Sequence, residues 1–544
     1  MVRDPQAEQA SLRAVYEAAR GGNHAQAGLL AEAALASGFE HPLLLNVAAL
    51  KLEEQGRVAD ALRLLERAVE IAPNDLSSRN ALGLCLLQLE RPAEALEQFE
   101  ALLKLSPSLP YAHSSHGNSL LALGAVTDAE ASYQRALALD SKQCAALAGL
   151  AHIASSRGAY REAHAWAEQA LALVPGFPDA VMSLAAAELR EHKAPEAAAR
   201  IRALLQDSRL TARERAYAHG LLGDILDALQ RPLEAFGAYT ACNEQLRRLY
   251  AERFDAEGNA LEYVRSLNRY FERVRPEDWK LRAPGGAAVS GVRGHVFVLG
   301  FPRSGTTLLE VILEGHPNVV SLEEKELFID SVREFMRRPE DLERLSRATP
   351  AALEAARAAY WRRVADEGVE AAGKVFVDKY PLNTLKLPLI ARLFPDAKIL
   401  IAGRDPRDIV LSCFRHRFTM SAPIYELLSI EGTARYYDAV MQLLIRFSAT
   451  LKLEPCLVRH EDLVAGFVRE MKRICTFLGI DWDPAMGDFA LRTRNRAVLT
   501  PSTAQLVRGL NTEGLGQWRR YEAELALVLP LLKPWIERFL YDSA

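Results

Sequence analysis

The sequence predicts two architectures in one chain: an N-terminal α-solenoid of helix pairs, then an α/β domain whose parallel sheet carries a phosphate loop. Three observations predict it. Small residues recur every 34 positions through the first half. Short apolar segments alternate with helical ones through the second half, the sign of a parallel sheet. The first of those segments runs into Gly300-Phe-Pro-Arg-Ser-Gly-Thr-Thr307. At about 150 residues per domain, a chain of 544 holds roughly three or four domains.

The repeat comes first. Alanine stands at Ala27, Ala61, Ala95, Ala129, Ala163 and Ala197, a step of 34 each time. Twelve residues ahead of five of these lie Ala49, Gly83, Gly117, Ala151 and Ala185, while Pro73, Pro107, Ser141 and Pro175 close the units. After residue 200 the register slips by four, yet Gly223 and Ala235 keep the spacing of twelve. The first unit, with Val15 at the small position, is the least regular. Each unit holds two amphipathic helices, and the small residues mark their close crossings. A larger side chain there would force the axes apart, at about 1–3 kcal/mol. The pattern resembles tetratricopeptide repeats, about seven copies over residues 7–246. The resemblance implies a superhelix whose concave face takes an extended peptide; a packing or dimerisation scaffold is the alternative.

Residues 247–279 are charged and helix-permissive, with Tyr250, Phe254, Leu261, Tyr263, Leu267 and Tyr270 forming an amphipathic stripe. The Gly-rich run Pro284 to Gly294 breaks that pattern. The expected domains are therefore 1–246, a helical linker and hinge over 247–293, and 294–544.

Four strands are expected: Val296–Leu299, Val375–Val377, Lys398–Ala402 and Cys456–Val458. In such sheets ligands bind beyond the carboxyl ends of the strands. The first strand leads into Gly-x4-Gly-Thr-Thr, a phosphate-loop frame with Thr306 where lysine would stand. Loop amides and a helix N-terminus cradle phosphate, and Arg303 adds a charge from within the loop. The missing lysine argues against a nucleoside triphosphate. The second strand ends in Asp378-Lys379, which puts a cation at the sheet edge unless Lys379 is a plain surface lysine. The third ends in Arg404-Asp-Pro-Arg-Asp408, where Asp405 fits an N-cap and Pro406 the first helical residue. Here two readings stand open: Arg404 and Arg407 bind a second phosphate, or they pair with Asp405 and Asp408. The fourth ends in Arg459-His460-Glu461-Asp462.

Four motifs then carry a resemblance: Phe301-Pro-Arg-Ser-Gly-Thr-Thr-Leu-Leu309, His316-Pro-Asn-Val-Val-Ser-Leu-Glu-Glu324, Asp378-Lys379-x-Pro-x-Asn383, and Arg404-Asp-Pro-Arg-Asp-x-x-x-Ser412. In this order, over about residues 294–535, they are similar to sulfotransferases. The likeness is closer still to the bacterial tetratricopeptide–sulfotransferase fusions and the tyrosylprotein sulfotransferases. The resemblance implies a P-loop-like α/β sulfotransferase domain using 3′-phosphoadenosine 5′-phosphosulfate. It implies that Arg303, Ser304, Gly305, Thr306 and Thr307 hold the 5′-phosphosulfate, and Arg404 and Ser412 the 3′-phosphate. Glu324 matches the catalytic carboxylate, with Glu323 one residue away. Lys379 matches a transition-state lysine, and Ser502 a serine near the sulfuryl group. His460, where the family commonly has tyrosine, falls on the adenine side, and Arg519 in a stretch that closes over the nucleotide. The resemblance leaves the acceptor open: the repeats beside the enzyme suggest a protein or peptide, sulfated on tyrosine, while a carbohydrate, lipid or small phenol stays an alternative.

Composition limits the rest. Lys plus Arg number 66 against 70 Asp plus Glu, a net charge of −4, so neither nucleic acid nor a membrane surface is an expected partner. Six scattered cysteines form neither a disulfide framework nor a zinc site, and no metal is expected. With no signal-like N-terminus and no run of 18 apolar residues, a cytoplasmic protein is expected. Oligomeric state stays open, a dimer included. Two rival functions remain: a P-loop kinase or ATPase with Asp378 as metal ligand, and a repeat scaffold whose second domain is idle.

Overall fold

The computed structural model describes residues 5–257, 259–279, 291–495 and 509–541. By contact the chain divides after Arg200 into two compact units.

The first unit is built of antiparallel helix pairs, from Pro5–Arg20 with His24–Ala36 to Pro178–Arg190 with Ala194–Leu204. The 34-residue alanines all lie at fully buried crossings. The glycines twelve residues earlier do the same work in closer quarters. A Cβ on Gly83 would meet the Phe99 ring at 2.6 Å, and one on Gly117 would meet Tyr133 at 2.6 Å. Gly149 packs on that same ring from the next unit, where a Cβ would approach to 2.4 Å. The repeat is thus a device for seating one aromatic ring against helix backbones.

The second unit contains the seventh helix pair, Ala212–Ala228 and Pro232–Glu257, together with the sheet. The sequence pattern placed that pair with the repeats, ending at 246. Its contacts place it elsewhere: buried Asn243 donates to Phe414 O at 2.8 Å, and Asp224 and Asp227 pair with Arg417 and Arg415 at 2.6 and 2.8 Å. Gly220 admits this, since a Cβ there would lie 2.7 Å from the Arg417 side chain. Tyr250, Phe254, Leu261 and Leu267 of the expected stripe are buried. Most of the Gly-rich hinge lies outside the described residues.

The sheet has five parallel strands in the order β2-β3-β1-β4-β5: β1 (Gly294–Gly300), β2 (Val319–Glu323), β3 (Val375–Lys379), β4 (Lys398–Gly403) and β5 (Cys456–Arg459). Four match the expected strands. The fifth, β2, escaped because Ser321 and Glu323 interrupt its apolar run, as suits an edge strand. Central β1 pairs with β3 through Gly294↔Val375 and with β4 through Val296↔Lys398. The loop leaving β1 therefore emerges between the end of β3, which carries Lys379, and the end of β4, which leads to Arg404. Among the described residues no helix is long and apolar enough to cross a membrane.

Candidate active site

The phosphate loop is shaped by close approach. At Gly300 a Cβ would sit 2.7 Å from both Ala402 O and Ser304 Oγ, so only glycine fits beside β4. Arg303 and Gly305 then take left-handed φ values of 68° and 102°, curling the loop into the N-terminus of the helix Thr306–Leu313. Successive amides in such a curl form an anion-binding concavity. Buried Ser304 Oγ has no hydrogen-bond partner among the described residues, a polar atom waiting for one.

Two partly buried guanidiniums, one within the loop and one beside it, stand here. Arg303 Nε–H donates to Ser412 Oγ at 3.1 Å, joining the loop to the helix Pro406–Arg415. Arg404 donates to Arg303 O at 3.3 Å and to Gly514 O, while its Nε lacks a partner among the described residues. Burial, then the nearness of Arg404, pulls Arg303 down to about 10, which leaves it charged at neutral pH. Two like charges held together out of water favour an anion between them. The open question over the second arginine is answered by geometry. Arg407 binds Asp405 at 2.8 Å and lies 3.8 Å over the Trp518 ring, whereas Arg404 stays 4.0 Å from Asp408.

His460 stands against the loop. A Cβ on Gly305 would lie 3.3 Å from its Nδ1, which has no partner among the described residues. Burial, with Arg404 adding, pulls the imidazole down to about 3, so it is neutral. Asp408 accepts the Gly516 and Trp518 amides at 2.7 and 3.0 Å, docking the C-terminal segment onto the start of the helix Pro406–Arg415. Arg519 is exposed and its guanidinium lies 4.9 Å from the Trp518 ring. Ser502 lies outside the described residues.

The third part is a buried lysine. Lys379 is 0% exposed, and its ammonium reaches Glu324 Oε1 at 2.7 Å, Glu323 Oε1 at 2.9 Å, Glu310 Oε2 at 3.4 Å and Thr307 Oγ1 at 3.4 Å. Burial alone would lower its pKa; the three carboxylates outweigh that and hold it above the ordinary lysine value. Adjacent residues on a strand point to opposite faces. Glu323 and Glu324 reach one ammonium because Glu324, the first residue after β2, takes a left-handed φ of 49° while its N–H still donates to Lys379 O at 2.8 Å. Glu324 is 51% exposed against 25% for Glu323, so it is the carboxylate an incoming hydroxyl can approach.

Glu310 was not expected. Its signal was present: it is the one charged residue in Thr306-Thr-Leu-Leu-Glu-Val-Ile-Leu313, a helix buried along its whole length. Asp378, the metal ligand of the kinase alternative, accepts from Tyr360 OH at 2.8 Å in the core, where burial lifts it to about 7. It faces away from the phosphate loop's cations. Among the described residues no cluster of three His, Cys, Asp or Glu is placed to hold a metal.

Compared with known proteins, residues 295–484 match the sulfotransferase family and residues 46–110 the tetratricopeptide repeat. The chain is similar to protein-tyrosine sulfotransferase 1 of Danio rerio, 26% identical over 270 residues, 45% of this chain and 72% of the relative. Protein-tyrosine sulfotransferase 2 of Gallus gallus is 27% identical over 264 residues, covering 45% and 69%. Among solved structures, the sulfotransferase domain of the Synechococcus PCC 7002 olefin synthase is 23% identical with a TM-score of 0.34, covering 48% of this chain and 100% of that one.

Proposed function

From a chain that carries a sulfotransferase-family domain and tetratricopeptide repeats, we propose an enzyme that moves a sulfuryl group from 3′-phosphoadenosine 5′-phosphosulfate to an acceptor hydroxyl. The observation that carries this is the meeting of Glu324 and Lys379 at 2.7 Å beside a phosphate loop that holds one partly buried arginine and is touched by a second. The orphaned Ser304 Oγ, Arg404 Nε and His460 Nδ1 fit a ligand rich in acceptors. Arg303, Ser304 and the loop amides hold the 5′ end of the donor, Arg404 and Ser412 the 3′-phosphate, and neutral His460 borders the adenine side. The donor supplies an activated sulfuryl group. Glu324 takes the acceptor's proton on Oε1, while Lys379 and Arg303 meet the charge that accumulates on the leaving phosphate. Such work is mostly positioning and electrostatic stabilisation.

Thermal unfolding tests the donor. Adenosine 3′,5′-bisphosphate at about 100 times its Kd should stabilise the protein by about 2.7 kcal/mol. ADP with Mg²⁺ should give no comparable shift. The reverse result would replace this reading with a kinase.

The acceptor we propose is a tyrosine on a protein or peptide brought in by the repeats. Support comes from the repeat array itself and from the names of the similar relatives. Thr211 and Glu214 form a reciprocal capping box at the start of the seventh helix pair, which makes Thr211 a sound place to begin a shortened chain. A protein lacking residues 1–210 should bind adenosine 3′,5′-bisphosphate as the full chain does, yet lose turnover of protein acceptors. Undiminished turnover would remove the repeats from recruitment.

A further inference from the structure

Sulfuryl transfer as just proposed requires Lys379 to stay charged and in place while its outer partners change. Glu324 must leave the ammonium for the acceptor hydroxyl. The partner that stays is Glu310, 2% exposed on the helix that follows the phosphate loop. Ser321 Oγ–H donates to its Oε1 at 2.9 Å. Its Oε2 stands 3.4 Å from the Lys379 ammonium without hydrogen-bond geometry, and has no hydrogen-bond partner among the described residues.

Charge counting sharpens this. Three ionised carboxylates around one ammonium would place a net charge of −2 beside a loop built to receive an anion. A buried carboxyl relieves such crowding by keeping a proton. Glu310 is the most deeply buried of the three, at 2% exposed against 25% for Glu323 and 51% for Glu324, so it is the carboxyl that keeps the proton. We propose that Glu310 is a positioning residue for the transfer: it anchors the Lys379 ammonium from the phosphate-loop helix and holds the cluster's surplus proton, so that the donor meets a net charge of −1. Burial, opposed by Lys379 and reinforced by Glu323, lifts Glu310 above the ordinary carboxylate range, in keeping with this. The charged groups facing it are Lys379 on β3, Glu323 on β2 and Glu314 on its own helix, with Glu324 reaching the same ammonium. From the helix Phe489–Asn495, Arg492 donates to Val311 O at 3.2 Å. β1 and the turn Pro484–Asp488 present Val296, Val298 and Met486 to the shared core.

The sign of the linkage is fixed. An anionic donor favours protonated Glu310, so donor affinity falls as pH rises through the Glu310 ionisation. Isothermal titration of the full chain with intact 3′-phosphoadenosine 5′-phosphosulfate, from about pH 7 to 9.5, reads this directly. Phosphate monoesters finish ionising near pH 6, so the donor's charge is steady there. The parent should lose about tenfold in affinity for each unit by which the donor raises the Glu310 pKa. Glu310→Gln, neutral and isosteric, should show a flat profile and bind more tightly than the parent at pH 9. Asp378, at about 7, titrates in both proteins and cancels in the comparison. Ser321→Ala supplies a second reading: it removes a hydrogen bond that favours the carboxylate, so the parent's decline should move to higher pH. A Glu310→Gln protein that declines as the parent does would overturn the proposal, and so would a parent that binds donor with a flat profile. A parent that binds no donor at any pH would overturn the function reading as well.

Discussion

Glu324→Gln is expected to lower turnover by about 10²–10⁴-fold, the usual worth of a positioned general base. Glutamine keeps the length and planar shape of the side chain, so the left-handed backbone at this position gains no new clash. It takes away the basic oxygen and one charge partner of Lys379, which still has Glu323 at 2.9 Å and Glu310 at 3.4 Å. The donor contacts proposed above are others: Arg303, Arg404 and Ser412. Affinity for adenosine 3′,5′-bisphosphate should therefore not fall while turnover collapses, the signature of an interaction made in the transition state. Donor consumption with a tyrosine peptide and titration calorimetry check the two halves. Glu323→Gln is the companion, with a far smaller loss expected. If that variant collapses and Glu324→Gln does not, the base is Glu323.

Asp227→Ala should destabilise the protein by about 3–5 kcal/mol, the cost of stranding buried charge. Asp227 accepts from Arg415 at 2.8 Å, from Tyr521 OH at 2.6 Å and from Arg520 at 2.9 Å. Among the described residues Arg415 would keep its 3.2 Å contact to Gln517, the faces of Tyr239 and Tyr521, 5.3 and 5.6 Å away, and the more distant charge of Asp224. Because Arg415 ends the helix that presents Ser412, binding of adenosine 3′,5′-bisphosphate should weaken in parallel. Asp227→Asn, which can still accept from Tyr521, should lie between the parent and the alanine protein. Urea unfolding measures the first effect; a loss below about 1 kcal/mol would mark the network as a solvated surface pairing.

Periodic and steric rules made much of this chain legible before any coordinates. The 34-residue alanines were readable because a helix crossing tolerates one size of side chain, and the phosphate loop because close backbone approach demands glycine at 300 and a left-handed turn favours it at 305. What escaped was set by long-range packing. β2 is too polar to announce itself, and its pairing to β3, Glu323↔Lys379, explains why two glutamates converge on one lysine. The roles of Arg404 and Arg407 were undecidable from spacing, since Trp518 lies more than a hundred residues further on. Asp227 carries no sequence signal, because its partners Arg415, Arg520 and Tyr521 come from two distant segments.

The seating of Asn243, Asp224 and Asp227 has a consequence for how such a protein can diversify. An array of stacked units lengthens or shortens by duplication and loss, because each unit needs only its neighbours. The seventh pair is not free in that way. It keeps the repeat spacing of Gly223 and Ala235 yet is shaped to the α/β domain. On the proposed role of the repeats, variation in acceptor choice has room upstream of Thr211, where whole units can be exchanged. Recombination downstream of it would break Asp227 from Arg415, and the catalyst would inherit the damage.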